Sequence, residues 1–342
     1  MTEMLPTAAK HRSAMSLGAI VAVFGVLSLS TVAFGSTWIP FDQIVGVILG
    51  AGEKTQRIIV LQLRLPRVVM AILAGGGMAV AGFLLQKITR NSLASPGVLG
   101  VIDGAALGVV IFLALLSNES NALVTSIAYQ PVAATIGAFL AITLVFMLSG
   151  RQASSAIRLL LFGIAVAAVA KALTVIFMLI GPIYRATQAQ RWLAGAVNEV
   201  NWGEIQVTAI AILPIMVLAL LAAERLADLD ETSARSVGLN LPVFRILIFA
   251  LAAALTALSV AFVGAVGFIG LMAPHLARLL VGRNVYAGII ASFLLGAIFL
   301  VGADMIVRVL FAPLEVPAGT VTAIIGAPYF LFLLMGKQRN DG

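Results

Sequence analysis

Uncharged runs of helical length alternate along this chain with short clusters of charge. Residues 13–41 hold no Asp, Glu, Lys or Arg, and neither do 68–86, 120–150, 205–223, 284–303 and 316–336. Residues 91–118 are broken only by Asp103, and 159–184 only by Lys171. A lipid-spanning helix needs about 20 apolar residues, so each run predicts one span. Residues 246–277 are uncharged for 32 positions, too long for one ordinary span. Gly264, Gly267, Gly270 and Pro274 predict a long helix, a break and a short second helix there. The total is ten spans. A membrane barrel would instead show segments of about ten residues with alternating polarity. The first run, preceded by Lys10 and Arg12, also invites a signal-peptide reading. It exceeds the usual core of about 7–15 residues, and no clean cleavage site follows.

Composition agrees with the pattern. Of 342 residues 61% are apolar and 10% charged, with a mean hydropathy of +1.12, whereas an ordinary soluble domain is about 25% charged. The expectation is an all-α membrane protein, a single polytopic domain over 1–342. Cysteine is absent, which excludes disulfides, thiolate metal sites and cysteine nucleophiles. The net charge of +7 reads as loop Lys and Arg rather than a nucleic-acid surface, and no nucleic-acid partner is expected. With both termini inside, thirteen basic residues fall in inner loops. Seven fall outside: Lys54, Arg57, Arg64, Arg67, Arg185, Arg191 and Arg308. That bias fits the positive-inside rule, and the outer seven require a cause of their own.

Chemistry is sparse. Gly50-Ala51-Gly52-Glu53-Lys54-Thr55 is the nearest string to a phosphate loop, and Glu53 spoils it. The chain itself is therefore expected to bind no ATP, no metal and no other cofactor. His11 and His275 are the only histidines, and no H-E-x-x-H or G-x-S-x-G is present, so no enzyme reading has residues to stand on. Gly75-Gly76-Gly77 and Gly82 read as a helix-packing face. Charges within spans are costly and carry more information. Lys171 lies about 20 Å beyond Arg158 at 1.5 Å per residue. Asp103 lies about 10 Å beyond Pro96 by the same rise. The two could pair, line a polar path or relay protons, and their unequal depths require the lysine to bend toward the inner side. Asp304 and Arg308, at i and i+4, predict a pair on one helix face. The inner segment 224–242 alternates acid and base and reads as two short helices broken at Gly238, with Asp230 or Thr232 as cap.

Several stretches then resemble one family. Gln62-Leu63-Arg64-Leu65-Pro66-Arg67 resembles its R-L-P-R signature. Arg90 to Gly100 (RNSLASPGVLG) resembles its R-N-P-L-A-x-P-x-x-L-G segment. Thr232 to Leu239 loosely follows T-A-x-x-L-G. Gly264 to Leu279 resembles G-P-I-G-F-V-G-L-x-x-P-H-x-x-R, and Leu314 to Gly319 with Gly326-Ala327-Pro328 resembles the closing L-P-x-G and G-A-P. Together they identify a likeness, from about residue 38 onward, to the permease subunits of FecCD-type ABC importers. These take up iron–siderophore complexes, haem or cobalamin.

The resemblance implies a BtuC-like importer permease fold in a bacterial cytoplasmic (inner) membrane. It also implies a second permease subunit, identical or homologous, two ATPase subunits that use ATP and Mg, and a periplasmic or lipid-anchored substrate-binding protein. It places Thr232, Ala234, Arg235, Ser236, Gly238 and Leu239 in the loop that contacts the ATPase. Asn91 and Leu93 fall at the cytoplasmic gate. Arg64, Arg67 and Arg308 become outward-facing arginines that dock the binding protein, and His275 is structural. Asp103 and Lys171 are path candidates. The sequence departs from the family pattern at Ser92, where proline is usual and whose loss should loosen the turn, and at Ala265 and Val266. It departs again at Asp103 and Lys171, which stand where small or hydroxyl residues are usual. The contrasting reading is a proton-coupled secondary transporter with Asp103, Lys171 and Asp304 as its relay.

Overall fold

The computed structural model describes residues 5–338 except 36, 119–121, 151–154, 198–199, 224, 226–239, 283, 313 and 315. Among the described residues seven helices are long and apolar enough to cross a membrane: His11–Ala33, Lys54–Thr89, Ile127–Ser149, Ile157–Ile180, Trp202–Leu221, Leu241–Val263 and Val285–Leu310. Val101–Leu115, Ile269–Val281 and Ala318–Phe332 are shorter apolar helices. Each of the nine uncharged runs thus carries an apolar helix, and 246–277 carries two. Among the described residues the sole strand-like contact is a single bridge between Ser117 and Leu123.

In chain order the helices are α1 (Leu5–Ala33), α2 (Phe41–Ile48), α3 (Lys54–Arg57), α4 (Leu65–Thr89), α5 (Val101–Leu115), α6 (Gln130–Ser149) and α7 (Ala156–Ile180). They continue with α8 (Ile183–Ala194), α9 (Trp202–Leu221), α10 (Leu241–Val263), α11 (Ile269–Val281), α12 (Val285–Leu310) and α13 (Ala318–Gln338). A π-helical stretch, Ile58–Arg64, joins α3 to α4.

The centre of the bundle is α4. It is apolar around its whole circumference, as a helix enclosed on all sides must be, and 89% of its most apolar window is buried. It packs on α9, α10, α11 and α12. Its glycines do this work as the sequence predicts. A Cβ on Gly75 would stand 2.4 Å from Gly296 O, one on Gly77 2.5 Å from Ser259 Oγ, and one on Gly82 1.8 Å from Gly270 O. A second group is formed by α5, α6 and α7, with α5 in the middle. Gly104 and Gly137 bring the α5 and α6 backbones together. On the outside, α1 rests on α12 and α11.

Two non-helical segments account for the short helices. The chain from Asn91 to Gly100 enters the bundle before α5 begins, with Pro96 and Leu99 buried in a 3-10 turn that packs against α7. The second break is Gly264–Phe268. Gly264 (φ 73°) and Phe268 (φ 64°) both take the left-handed conformation, which for Phe is costly and held only by its surroundings. Pro274, part of the predicted break, lies inside α11 instead. The segment and the end of α10 before it are tied to the end of α8, and the chain just after α8 is tied to the start of α13, through backbone bonds. Ala265 N donates to Trp192 O (3.2 Å), Ala196 N to Val263 O (2.8 Å) and Gly319 N to Gly195 O (2.8 Å).

Candidate functional site

At one end of the bundle the π-helical stretch and the start of α4 meet the ends of α1 and α12, and here the three signature arginines gather. Arg64 is 5% exposed. Its Nη1 donates to Val32 O and Ala33 O, each at 2.8 Å, and its Nη2 to Thr37 O and to Thr37 Oγ1 at 3.2 Å. A planar guanidinium with five donors suits this task, because the last carbonyls of a helix have no partners within it. Arg67 reaches Asp304, with Nε donating to Oδ1 at 2.7 Å and Nη2 at 2.6 Å from the same oxygen. Arg308 Nε stands 3.1 Å from Asp304 Oδ2 without hydrogen-bond alignment, and its Nη2 donates to Thr31 O at 3.0 Å.

The i, i+4 pair is therefore present, and Arg67 joins it. Side-chain exposure is 22% for Arg67, 13% for Arg308 and 1% for Asp304. This corrects the expectation of three outward-facing cations, because all three guanidiniums bond within the chain. The reason is local. The end of α1 and the loop after it expose carbonyls there, and a buried carboxylate is costly unless paired. Arg67 was the missed partner of Asp304. Asp304 directly follows the uncharged run 284–303, but nothing local marks Arg67, 237 positions away, as its second partner.

Midway along the bundle Lys171 Nζ lies 3.7 Å from Asp103 Oδ1. The mismatch in depth is resolved by the non-helical entry of residues 91–100, which carries the first turn of α5 inward. The pair is lopsided, with 71% of the lysine side chain exposed against 15% of the aspartate's.

At the opposite end of α4, Asn91 Oδ1 accepts from Leu93 N at 2.9 Å, and Ala94 N donates to Asn91 O at 3.2 Å. This side-chain turn does the work of the missing proline, so Ser92 does not loosen the bend. Arg90 at φ 51° ends α4. Nearby, Gln86, 1% exposed, donates to Leu271 O at 3.1 Å and accepts from Arg278. The His275 ring meets Tyr329 edge-on with centroids 6.1 Å apart. Among the described residues no three His, Cys, Asp or Glu side chains come together. Thr232, Ala234, Arg235, Ser236, Gly238 and Leu239 lie outside the described residues, as does the expected pair of short helices.

A hollow of about 520 Å³ opens between α5, α6 and α7, lined by Leu107, Ile111, Ile136, Leu140, Val169 and Leu173 among others. Its lining is apolar throughout, and neither Lys171 nor Asp103 belongs to it.

Comparison with known proteins places this geometry in context. The profile of the FecCD transport family matches residues 20–336. The Fe(3+)-citrate import system permease protein YfmE of Bacillus subtilis (strain 168) is 36% identical over 337 residues, covering 98% of this chain and 99% of its own. The achromobactin transport system permease protein CbrC of Dickeya dadantii (strain 3937) is 36% identical, covering 95% and 89%. A solved structure described as an inward-facing conformation of a metal-chelate type ABC transporter superposes with a TM-score of 0.83. It is 28% identical and covers 94% of this chain and 98% of the other.

Proposed function

The chain belongs to the FecCD transport family, and from that premise we propose that it is the importer permease through which an iron–siderophore complex crosses the cytoplasmic membrane. It is a membrane-embedded, multi-pass transport subunit. The observation that carries the substrate reading is the match over nearly the whole chain to permeases named for ferric citrate and achromobactin. A binding protein delivers the chelate at the outer face, and two ATPase subunits, which hold ATP and Mg, drive the cycle from the cytoplasm. A second permease subunit completes the pathway, and both termini lie inside.

Within this reading the segment 224–242 receives the ATPase stroke through Thr232, Ala234, Arg235, Ser236, Gly238 and Leu239. Asn91 and Leu93 narrow the inner end of the path. Their turn is braced by the Asn91 carboxamide, so a push on α4 or α5 moves both together. Arg64, Arg67 and Arg308 set the shape of the outer docking surface from beneath, with Arg67 the most exposed of the three. The proton-coupled alternative is disfavoured, because Asp103 and Asp304 are each closed in an ion pair of their own.

The test is to purify the chain with its ATPase and binding-protein partners and identify the ligand the binding protein holds. A ferric chelate whose ATP-dependent uptake into vesicles requires this chain is expected. Uptake that proceeds without ATP, driven by a proton gradient, would overturn the proposal.

A further inference from the structure

We infer that the flank of α7 bearing Lys171 faces an aqueous path and offers its ammonium to negatively charged groups, so that the chelate carried is anionic. The inference rests on the importer reading above and adds the substrate's charge.

The first observation is where the charge stands. Lys171 is nine residues before the end of α7 at Ile180, about 14 Å at 1.5 Å per residue, and about 20 Å from Arg158 by the same rise. From such a depth a four-carbon stem cannot carry its ammonium to either interface. Yet 71% of the side chain is uncovered by the chain itself. An ionised group in mid-span that is open on one side faces water or a protein cavity, because hydrocarbon solvates it too poorly.

The second observation is how α7 is divided. At about 100° per residue, Ile164, Ala168, Lys171 and Val175 share one flank, and all four are exposed. The apolar hollow takes the other flank through Ala165, Val169 and Leu173. The hollow is wholly apolar and suits acyl chains. The Lys171 flank is the side with an ion to keep hydrated.

The third observation is the sign presented. Asp103 keeps its carboxylate largely inside, 15% exposed, and holds Lys171 Nζ at 3.7 Å. The pair is neutral in sum, but its exposed member is the cation. A solute passing this flank therefore meets an attractive centre for carboxylates or catecholates, while Asp103 moderates it so that binding stays weak enough for release. This is the balance a conducting path requires.

The chain has no cysteine, which makes the experiment direct. Ala168→Cys, on the Lys171 flank, is made in the otherwise native chain within the assembled transporter. Its reaction rates with an anionic (sulfonatoethyl) and a cationic (trimethylammonioethyl) methanethiosulfonate are compared, and Val124→Cys, in an exposed loop (74%), serves as control. Taking the ratio of the two rates cancels any effect on the thiol itself. The expected ratio favours the anionic reagent by about fivefold, falls to near unity with Lys171→Met and persists with Lys171→Arg. Failure of Ala168→Cys to react with either reagent while Val124→Cys reacts, or a ratio unchanged by Lys171→Met, would overturn the inference.

Uptake supplies the second arm. Radioactive iron is offered as anionic ferric citrate, as an anionic ferric tricatecholate and as a neutral ferric trihydroxamate. Accumulation from an anionic chelate that drops about fivefold with Lys171→Met supports the inference, and accumulation from the neutral chelate alone overturns it. Accumulation from none of them counts against the importer reading, and the thiol ratio then decides the charge of the path independently.

Discussion

Arg67 and Asp304, 237 positions apart in the chain, meet at 2.6 Å and fasten the start of α4 to the far end of α12. Asp304 is shared with Arg308 on its own helix, so one carboxylate holds two helices and, through the bond from Arg308 to Thr31 O, touches a third. Removing one partner of a buried ionic group costs about 3–5 kcal/mol. The cost here falls toward the lower bound, because Arg67 keeps 22% of its surface. Asp304→Asn should therefore lower the thermal midpoint of the purified transporter and reduce the folded fraction in membranes. Fluorescence-detected size exclusion reads this, and a wild-type melting profile for Asp304→Asn would remove the cluster from the stability of the fold.

Arg64 makes a different prediction from its neighbours. Its bonds run to carbonyls and to Thr37, so charge alone cannot replace it. Arg64→Lys should be nearly as damaging as Arg64→Ala, each leaving buried carbonyls unpaired at about 1–3 kcal/mol. Binding-protein affinity of the surviving folded fraction should change little in either variant. A surface cation would behave oppositely, with Lys conservative and affinity the quantity lost. Measuring yield and affinity on the same preparations separates the two.

Glycines of α4 and α12 can be ranked by what an added methyl would meet. Gly82→Ala places a methyl 1.8 Å from Gly270 O, a backbone atom that cannot move aside, whereas Gly302→Ala meets only Leu27 Cδ2 at 3.6 Å. The first should abolish assembly, and the second should leave expression and uptake near wild type. Equal yields of the two variants would show that α4 and α11 are less closely apposed than described.

The Asp103–Lys171 pair should couple weakly. A pair with one member 71% exposed in an aqueous path behaves as a surface pair, about 0–1 kcal/mol. Single and double neutral replacements should therefore add within that margin in a double-mutant cycle on stability. A coupling of about 3 kcal/mol or more would mean the pair is sealed from water.

Gly238→Pro or Arg235→Glu should uncouple hydrolysis from uptake, leaving ATPase activity while transport falls, because the segment that contains them is expected to meet the ATPase outside the lipid. Uptake at wild-type rate in both variants would remove 224–242 from the coupling path.

The helices were legible because lipid imposes a simple rule. A chain that must hide every backbone polar group spans as uncharged helices, and an uncharged run can be counted. The Asp304–Arg308 pair was legible for a similar reason, since i and i+4 share a helix face. Arg67 was not, because its partner is 237 residues away and nothing local distinguishes a buried arginine from an exposed one. Arg64 was misread on the same ground: sequence shows the cation but not the two helix-terminal carbonyls waiting for it. Residues 91–100 were read as the opening of a span, although the Ser-Pro-Gly string already argued against helix. That entry is what lets Asp103 and Lys171 meet.

The enclosure of α4 also dictates an order of events during synthesis. The helices that cover it, α9 to α12, emerge later, and α12 begins at Val285 while α4 ends at Thr89. At a translation rate of about 5–20 residues per second, the gap of about 200 residues leaves α4 waiting roughly 10–40 s. Through that interval its glycine faces lie against acyl chains or an insertion chaperone, and the Arg67 guanidinium has no carboxylate to meet. The most deeply interior element of the finished protein is thus the one that spends its early life in contact with lipid. A ribosome-stalled chain ending before α12 should accordingly cross-link from α4 to lipid or translocon, whereas the full-length chain should not.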